Sequence, residues 1–309
     1  MSVPVFARIF AARIFTVRIF TARKGMPGQA AAGRTERAMA EATGGIAAAG
    51  EMPVLIPAFN NPTYVEGMVG QLLRFPGLRP VVLDNGSTFP PALALYRRWA
   101  AEGLAPGRVL VVLLGQNLGP RAVWQDAGFL RSLPRHFCLT DPDLALNPRL
   151  PADFAAQLAR VAAAFRCGKV GFALSLADRP LMVQTAFRHA DGWKRIWESE
   201  APHWQERLTL PGFAEPLYRA EIDTIFALYD QAHFDPAQPF RGIRVGGRFT
   251  ARHLPWYRET GLPPEEEAFY RQATEYSYYM GDRPARQLRG LFARQDAMAA
   301  GRAPAGAEP

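Results

Sequence analysis

The chain has 309 residues, 49% of them apolar and 21% charged, which is ordinary for a globular protein with its own core and argues against a mainly disordered one. No stretch approaches ~20 uninterrupted apolar residues, so no transmembrane helix is expected, and two cysteines, Cys138 and Cys167, are too few for a disulfide framework or a Cys-rich zinc module. The formal net charge is +8, but residues 1–50 hold seven Lys and Arg against two acids, which leaves +3 for the rest and makes nucleic acid a poor partner.

In chain order, the first feature is a repeat of Arg-Ile-Phe at Arg8, Arg13 and Arg18. A step of five gives neither a helical nor a strand face, so the segment reads as a disordered basic extension, with weak peripheral contact to a membrane as its functional alternative. Arginine interrupts every candidate secretory core. Residues 26–50 are rich in Ala and Gly and read as linker; the tail from 297 to 309 reads as disordered. A reduced, cytoplasmic setting is expected.

Between these ends, apolar runs alternate with helical patterns. The runs are Val54–Pro57, Pro80–Asp84, Val109–Leu114, His136–Thr140 and Lys169–Leu176. Helices are expected over about 62–74, 91–102, 121–132 and 152–165, with Val65, Met68, Val69, Leu72 and Leu73 as the buried face of the first. This alternation predicts an α/β fold: a mainly parallel sheet, doubly wound, with helices on both faces. The polar residues fall where the runs stop. Asn60 follows the first, Asp84 ends the second, Asn117 follows the third, and Asp141 and Asp143 follow the fourth. In an open parallel sheet these positions share the carboxyl edge, where such sheets bind ligands.

Asp141-Pro142-Asp143 places two carboxylates two residues apart at a strand end, which suits one divalent cation, Mn2+ or Mg2+ rather than zinc, bridging a diphosphate. Asp84, beside a base-binding crevice, is suited to accept the imide N–H of uracil. No P-loop, G-x-G-x-x-G, H-E-x-x-H or G-x-S-x-G is present, which lowers kinases, ordinary dehydrogenases, zinc proteases and serine hydrolases.

Ile56-Pro57-Ala58-Phe59-Asn60, Val82-Leu83-Asp84-Asn85-Gly86-Ser87-Thr88, Asn117-Leu118-Gly119 and Thr140-Asp141-Pro142-Asp143 together resemble the nucleotide-sugar domain of GT-A-fold glycosyltransferases, most of all the inverting family-2 type. The resemblance covers residues 52–150. It implies transfer of a sugar from a nucleoside diphosphate, UDP by preference, to a hydroxyl of a glycan, lipid-linked or other acceptor. It implies a nucleotide-sugar half at 51–150 and an acceptor-binding, catalytic half at 151–296. It places Pro57 and Asn60 near the nucleoside, Asp84 on the base, Asn117 near the donor, and Asp141 and Asp143 around metal and phosphates. Asn85 stands where a second acid is often found.

An inverting transfer needs a base for the acceptor hydroxyl. The candidates are Glu198, Glu200, Asp223 and Glu265–Glu267; Asp223 is preferred, about eighty residues after Asp143, as in the family's base region. Glu198, between Trp197 and Trp204, is second, its pKa raised by an aromatic setting. The Glu265–Glu267 run reads as the first turn of a helix. The resemblance offers His253 as a third metal ligand, and Arg244 or Arg252 for the diphosphate. Two rival functions remain: a nucleotidyltransferase, whose Gly-rich basic loop is missing after the first run, and a non-catalytic nucleotide- or sugar-binding protein.

Overall fold

The computed structural model describes residues 43–104, 107–189 and 192–273. The Arg-Ile-Phe repeat and the 297–309 tail lie outside the described residues. Among the described residues, no helix is long and apolar enough to cross a membrane. The predicted linker is corrected at its end: residues 43–48 are helical (α1), and Ile46 is 6% exposed within the core.

The expected α/β layering is present. Strands β1 (Met52–Ala58), β2 (Leu78–Asp84), β3 (Leu110–Leu113) and β4 (His136–Leu139) are parallel and lie in the order β3-β2-β1-β4. Val54, Leu55 and Ile56 are all fully buried, as a strand covered on both faces requires. Helices α2 (Pro62–Leu72) and α3 (Pro90–Ala101) start on prolines, whose missing N–H costs nothing at a helix entry. The helix expected over 121–132 is two, α4 (Ala122–Gln125) and α5 (Ala127–Ser132). The chain turns extended at Asp126, whose Oδ1 accepts the N–H groups of Gly128 and Phe129 and caps α5.

The second half does not form a separate layer. After β5 (Leu144–Leu146), α6 (Phe154–Phe165) leads to β6 (Lys169–Leu174). The chain continues through the hairpin β7 (Phe187–His189) and β8 (Gly192–Lys194), then α7 (Ile196–Glu200), β9 (Arg207–Leu208) and β10 (Leu217–Glu221). It then returns as β11 (Ala227–Asp230) and the long β12 (Arg241–His253), before α8 (Pro264–Ala273). The sheet order is β3-β2-β1-β4-β11-β6-β12-β10-β9, and β11 is antiparallel to both neighbours. The fifth run, β6, therefore does not pair with β4; a strand from some ninety residues later separates them. Phe154, Phe172, Phe226 and Phe249 join in one ring cluster beneath this junction. The sheet and core are continuous across the predicted boundary at residue 150.

Candidate metal and donor site

The parallel register of β1, β2 and β4 aligns their carboxyl ends, with Ala58 opposite Asp84. The loops that leave this edge are laced together by the amides and acids singled out in the sequence. Asn60 adopts the left-handed conformation (φ 54°). Its Oδ1 accepts the N–H groups of Thr88 (2.8 Å) and Phe89 (2.9 Å), and its own N–H donates to Ser87 Oγ. Asn85 Oδ1 accepts the Leu118 N–H, and Asn117 Oδ1 accepts the Gly119 N–H. Gly86 must be glycine: its φ is 75°, and a Cβ would lie 3.0 Å from Gln116 N.

Asp84 ends β2 in a hydrogen-bonded turn. It is 2% exposed, its Oδ2 accepts the Ser87 N–H (3.0 Å) and its Oδ1 the Tyr96 hydroxyl (3.1 Å). Burial raises its pKa, and those two donors resist the shift. In this geometry Asp84 anchors the 84–87 turn. Pro57 is buried within β1 opposite Leu83, and Asn60 is fully buried, so both shape the edge from beneath. Asn117 alone of these residues is exposed.

Asp141, Asp143 and His253 do converge. Each is half-buried and offers one ligand atom, and these atoms lie within 4.8 Å of one another. The reason lies in β-pairing. Strand β5 follows Asp143 directly and pairs antiparallel with the end of β12, setting Leu144 opposite His253. The Leu254 N–H then donates to Asp143 O (2.8 Å), and His253 Nε2 comes to 3.3 Å from Asp143 Oδ1. Asp141 is held from the other side: Thr224 Oγ1 donates to its Oδ2 (2.7 Å), and its own N–H donates to Thr224 O (2.9 Å).

Desolvation, then the charge of Asp143, pushes the Asp141 carboxyl up to about 7; His253 and Thr224 pull against that. Desolvation works against charge on His253, but Asp143, Asp141 and Glu200 outweigh it and hold its pKa above the ordinary value. Two carboxylates and an imidazole facing one point form a donor set that fits a hard divalent cation such as Mn2+.

Asp223 lies in the segment between β10 and β11, ahead of the strand it was expected to lead. Its carboxylate is 47% exposed and is gripped by the Arg121 fork, with Nε to Oδ1 at 2.9 Å and a second bond from Nη2 to Oδ2. The Arg121 guanidinium also lies over the Phe240 ring. Glu198 stands in the first turn of α7. It is exposed, and its Oε2 accepts the Arg195 N–H (2.7 Å) at the start of α7, a helix-capping contact on the outside of the fold. Two residues on, Glu200 is buried, pairs with Arg244 and is pushed up to about 7 by that burial. Arg244 is 5% exposed and also donates to Glu221 O, so it is engaged inside rather than presented to a diphosphate. Arg252 pairs with Asp178. Trp256 and Tyr257 are packed in the core, and the acidic run does open α8, where Glu266 reaches back to the Thr63 N–H and hydroxyl at the start of α2.

Arg121, Thr224 and Lys169 were not anticipated. Arg121 and Thr224 carry no motif of their own, and in the sequence Lys169 is only the first residue of an apolar run. A lysine opening an otherwise apolar strand is the one signal that was available.

No family model matches the sequence, and no curated protein matches it. Among solved structures the chain is similar to the mannosyltransferase PcManGT from Pyrobaculum calidifontis, in complex with GDP-Man and Mn2+, at 17% identity and a TM-score of 0.41, over 81% of this chain and 80% of that one. It is also similar to GalNAc-T7, crystallised with UDP, GalNAc and Mn2+, at 13% identity and a TM-score of 0.39; 81% of this chain matches 52% of that one, about half its length.

Proposed function

We propose that this chain is a metal-dependent glycosyltransferase that moves a sugar from a nucleoside diphosphate to an acceptor hydroxyl, by inverting displacement. The observation that carries the reading is the meeting of Asp141, Asp143 and His253 at the carboxyl edge of the sheet. Three ligands drawn from a loop and a strand more than one hundred residues apart are hard to explain as a turn and a helix cap. These residues would hold Mn2+ or Mg2+, which supplies neutralisation of a departing diphosphate.

The chain's own residues do the rest. Thr224 keeps one Asp141 oxygen turned and hydrogen-bonded. The amide lattice of Asn60, Asn85 and Asn117 holds the donor-side loops in one arrangement, so little ordering is left for binding. Asp223 is the base: its carboxylate is exposed enough to meet an acceptor, and Arg121 fixes its direction. It takes the hydroxyl proton as the acceptor oxygen attacks the anomeric carbon and the bond to the diphosphate breaks. UDP stays the preferred donor diphosphate, and titration against GDP, CDP and dTDP tests it.

The test is calorimetric titration of UDP, GDP, CDP and dTDP, with and without Mn2+, on wild type and Asp143→Asn. The expected result is one diphosphate that binds only with metal and is lost in the variant. Absence of binding by any of them to the folded protein refutes the reading. Donor hydrolysis with and without EDTA separates a transferase from a protein that merely binds.

A further inference from the structure

Lys169 begins β6 with no solvent exposure at all. A buried ammonium carries a heavy desolvation cost unless every donor is used. Here every donor is used. Nζ donates to Ile222 O (2.7 Å), Asp223 O (2.9 Å) and Pro239 O (3.0 Å). Nζ also lies 4.5 Å from the Trp124 ring centre and 5.0 Å from that of Tyr229.

For packing alone a methionine would fill this position without desolvating a charge. What lysine adds is three directed bonds, and two go to consecutive carbonyls of one segment. That segment has little secondary structure of its own, since β10 ends at Glu221 and β11 begins at Ala227. It nevertheless carries two groups of the site. Asp223 presents its carboxylate to Arg121, and Thr224 is bonded to both the side chain and the backbone N–H of Asp141. The third carbonyl belongs to the turn before β12, whose neighbouring ring, Phe240, lies under Arg121. Ile222 is pressed close to Gly242, where even a Cβ would come within 2.8 Å of its Cδ1.

We infer that Lys169 is a positioning residue for the metal site: its three-carbonyl tie fixes residues 222–224, and through Thr224 it sets the direction of the Asp141 carboxylate. This rests on the reading of Asp141, Asp143 and His253 as a cation site.

The experiment is Mn2+ titration, by calorimetry, of full-length wild type, Lys169→Met, Thr224→Val and the double variant. Circular dichroism and urea unfolding in EDTA confirm that each is folded. Groups that orient a metal ligand typically alter affinity by 10- to 100-fold, so Lys169→Met is expected to weaken Mn2+ binding by about 10-fold while remaining cooperatively folded. Thr224→Val is expected to do the same, and the double variant to be no weaker than the weaker single, because the two act in series. If Lys169→Met does not fold, Lys169→Gln, which keeps two N–H donors, takes its place with the same expectation at smaller size. Unchanged Mn2+ affinity in a folded Lys169 variant, or losses that multiply in the double variant, overturns the inference while leaving the cation site standing. A folded wild type that binds no Mn2+ overturns the cation site itself, and the inference with it.

Discussion

Asp141→Asn should make the metal-free protein more stable at alkaline pH while abolishing its response to metal. The Asp141 carboxyl is raised from 3.8 to about 7, by desolvation first and by Asp143 second. A raised carboxyl contributes stability below its unfolded pKa and loses it as pH rises through the folded value. Here that window runs from about 4 to 7, and the loss across it is on the order of a few kcal/mol at most. The His253 imidazole offsets part of this. Asparagine is nearly isosteric, its Oδ1 still accepts the Thr224 hydroxyl, and the Asp143–His253 contact is untouched. The expected gain in EDTA at pH 8 is therefore about 2 kcal/mol, shrinking to nothing near pH 4. With Mn2+ at ~100 times its Kd, wild type should gain ~2.7 kcal/mol and the variant nothing. Urea unfolding at both pH values, with EDTA or Mn2+, reads all of these quantities. A variant less stable than wild type at pH 8 in EDTA would refute the electrostatic reasoning, and equal metal stabilisation of both proteins would refute the ligand assignment.

Asp223→Asn should lower kcat by about 10²- to 10⁴-fold, the usual contribution of a general base, with Mn2+ and nucleotide affinity within about threefold of wild type; steady-state kinetics with kcat inside tenfold of wild type would remove Asp223 from the chemistry. The Arg135 fork, against the cost of burial, holds the Asp230 carboxyl down to about 2. A depressed carboxyl contributes stability above its unfolded pKa and loses it as pH falls through the folded one, so Asp230→Asn should cost about 1 kcal/mol at pH 7, allowing for the exposed arginine, and the difference should close between pH 4 and 2; a gap that persists at pH 2 in urea melts would contradict this. Gly168→Ala should destabilise by about 3 kcal/mol, because its Cβ would lie 2.2 Å from the Phe234 Cα and backbone has nowhere to yield; an unshifted urea midpoint would show that this turn can move.

The elements built from contiguous residues were legible. Val54–Ile56, Val81–Leu83 and Phe137–Leu139 announce buried parallel strands by their unbroken apolar character, and the prolines at 62 and 90 mark helix starts. The Asp141–Asp143 pair was legible for the same reason, since two carboxylates after a strand need no distant partner to be noticed. The hydrophobic spacing over 121–132 continues through Asp126, whereas the capping bonds of that aspartate divide the segment into two helices.

The sequence alone thus determined the parallel nucleus, the polar edge and the pairing of Asp141 with Asp143, because each depends on residues close in the chain, while His253 came only through the resemblance. Tertiary structure alone decided that β11 separates β4 from β6, that β5 and β12 bring His253 onto Asp143, and that Asp84 faces Tyr96 while Asp223 faces Arg121. These pairings span from 12 to more than one hundred residues and are set by which strand fills the sheet and which polar groups remain to be satisfied when the core closes. Local pattern carries no record of that choice. Lys169 shows this most plainly, since the strand around it is apolar and the three carbonyls folded over it account for a lysine there.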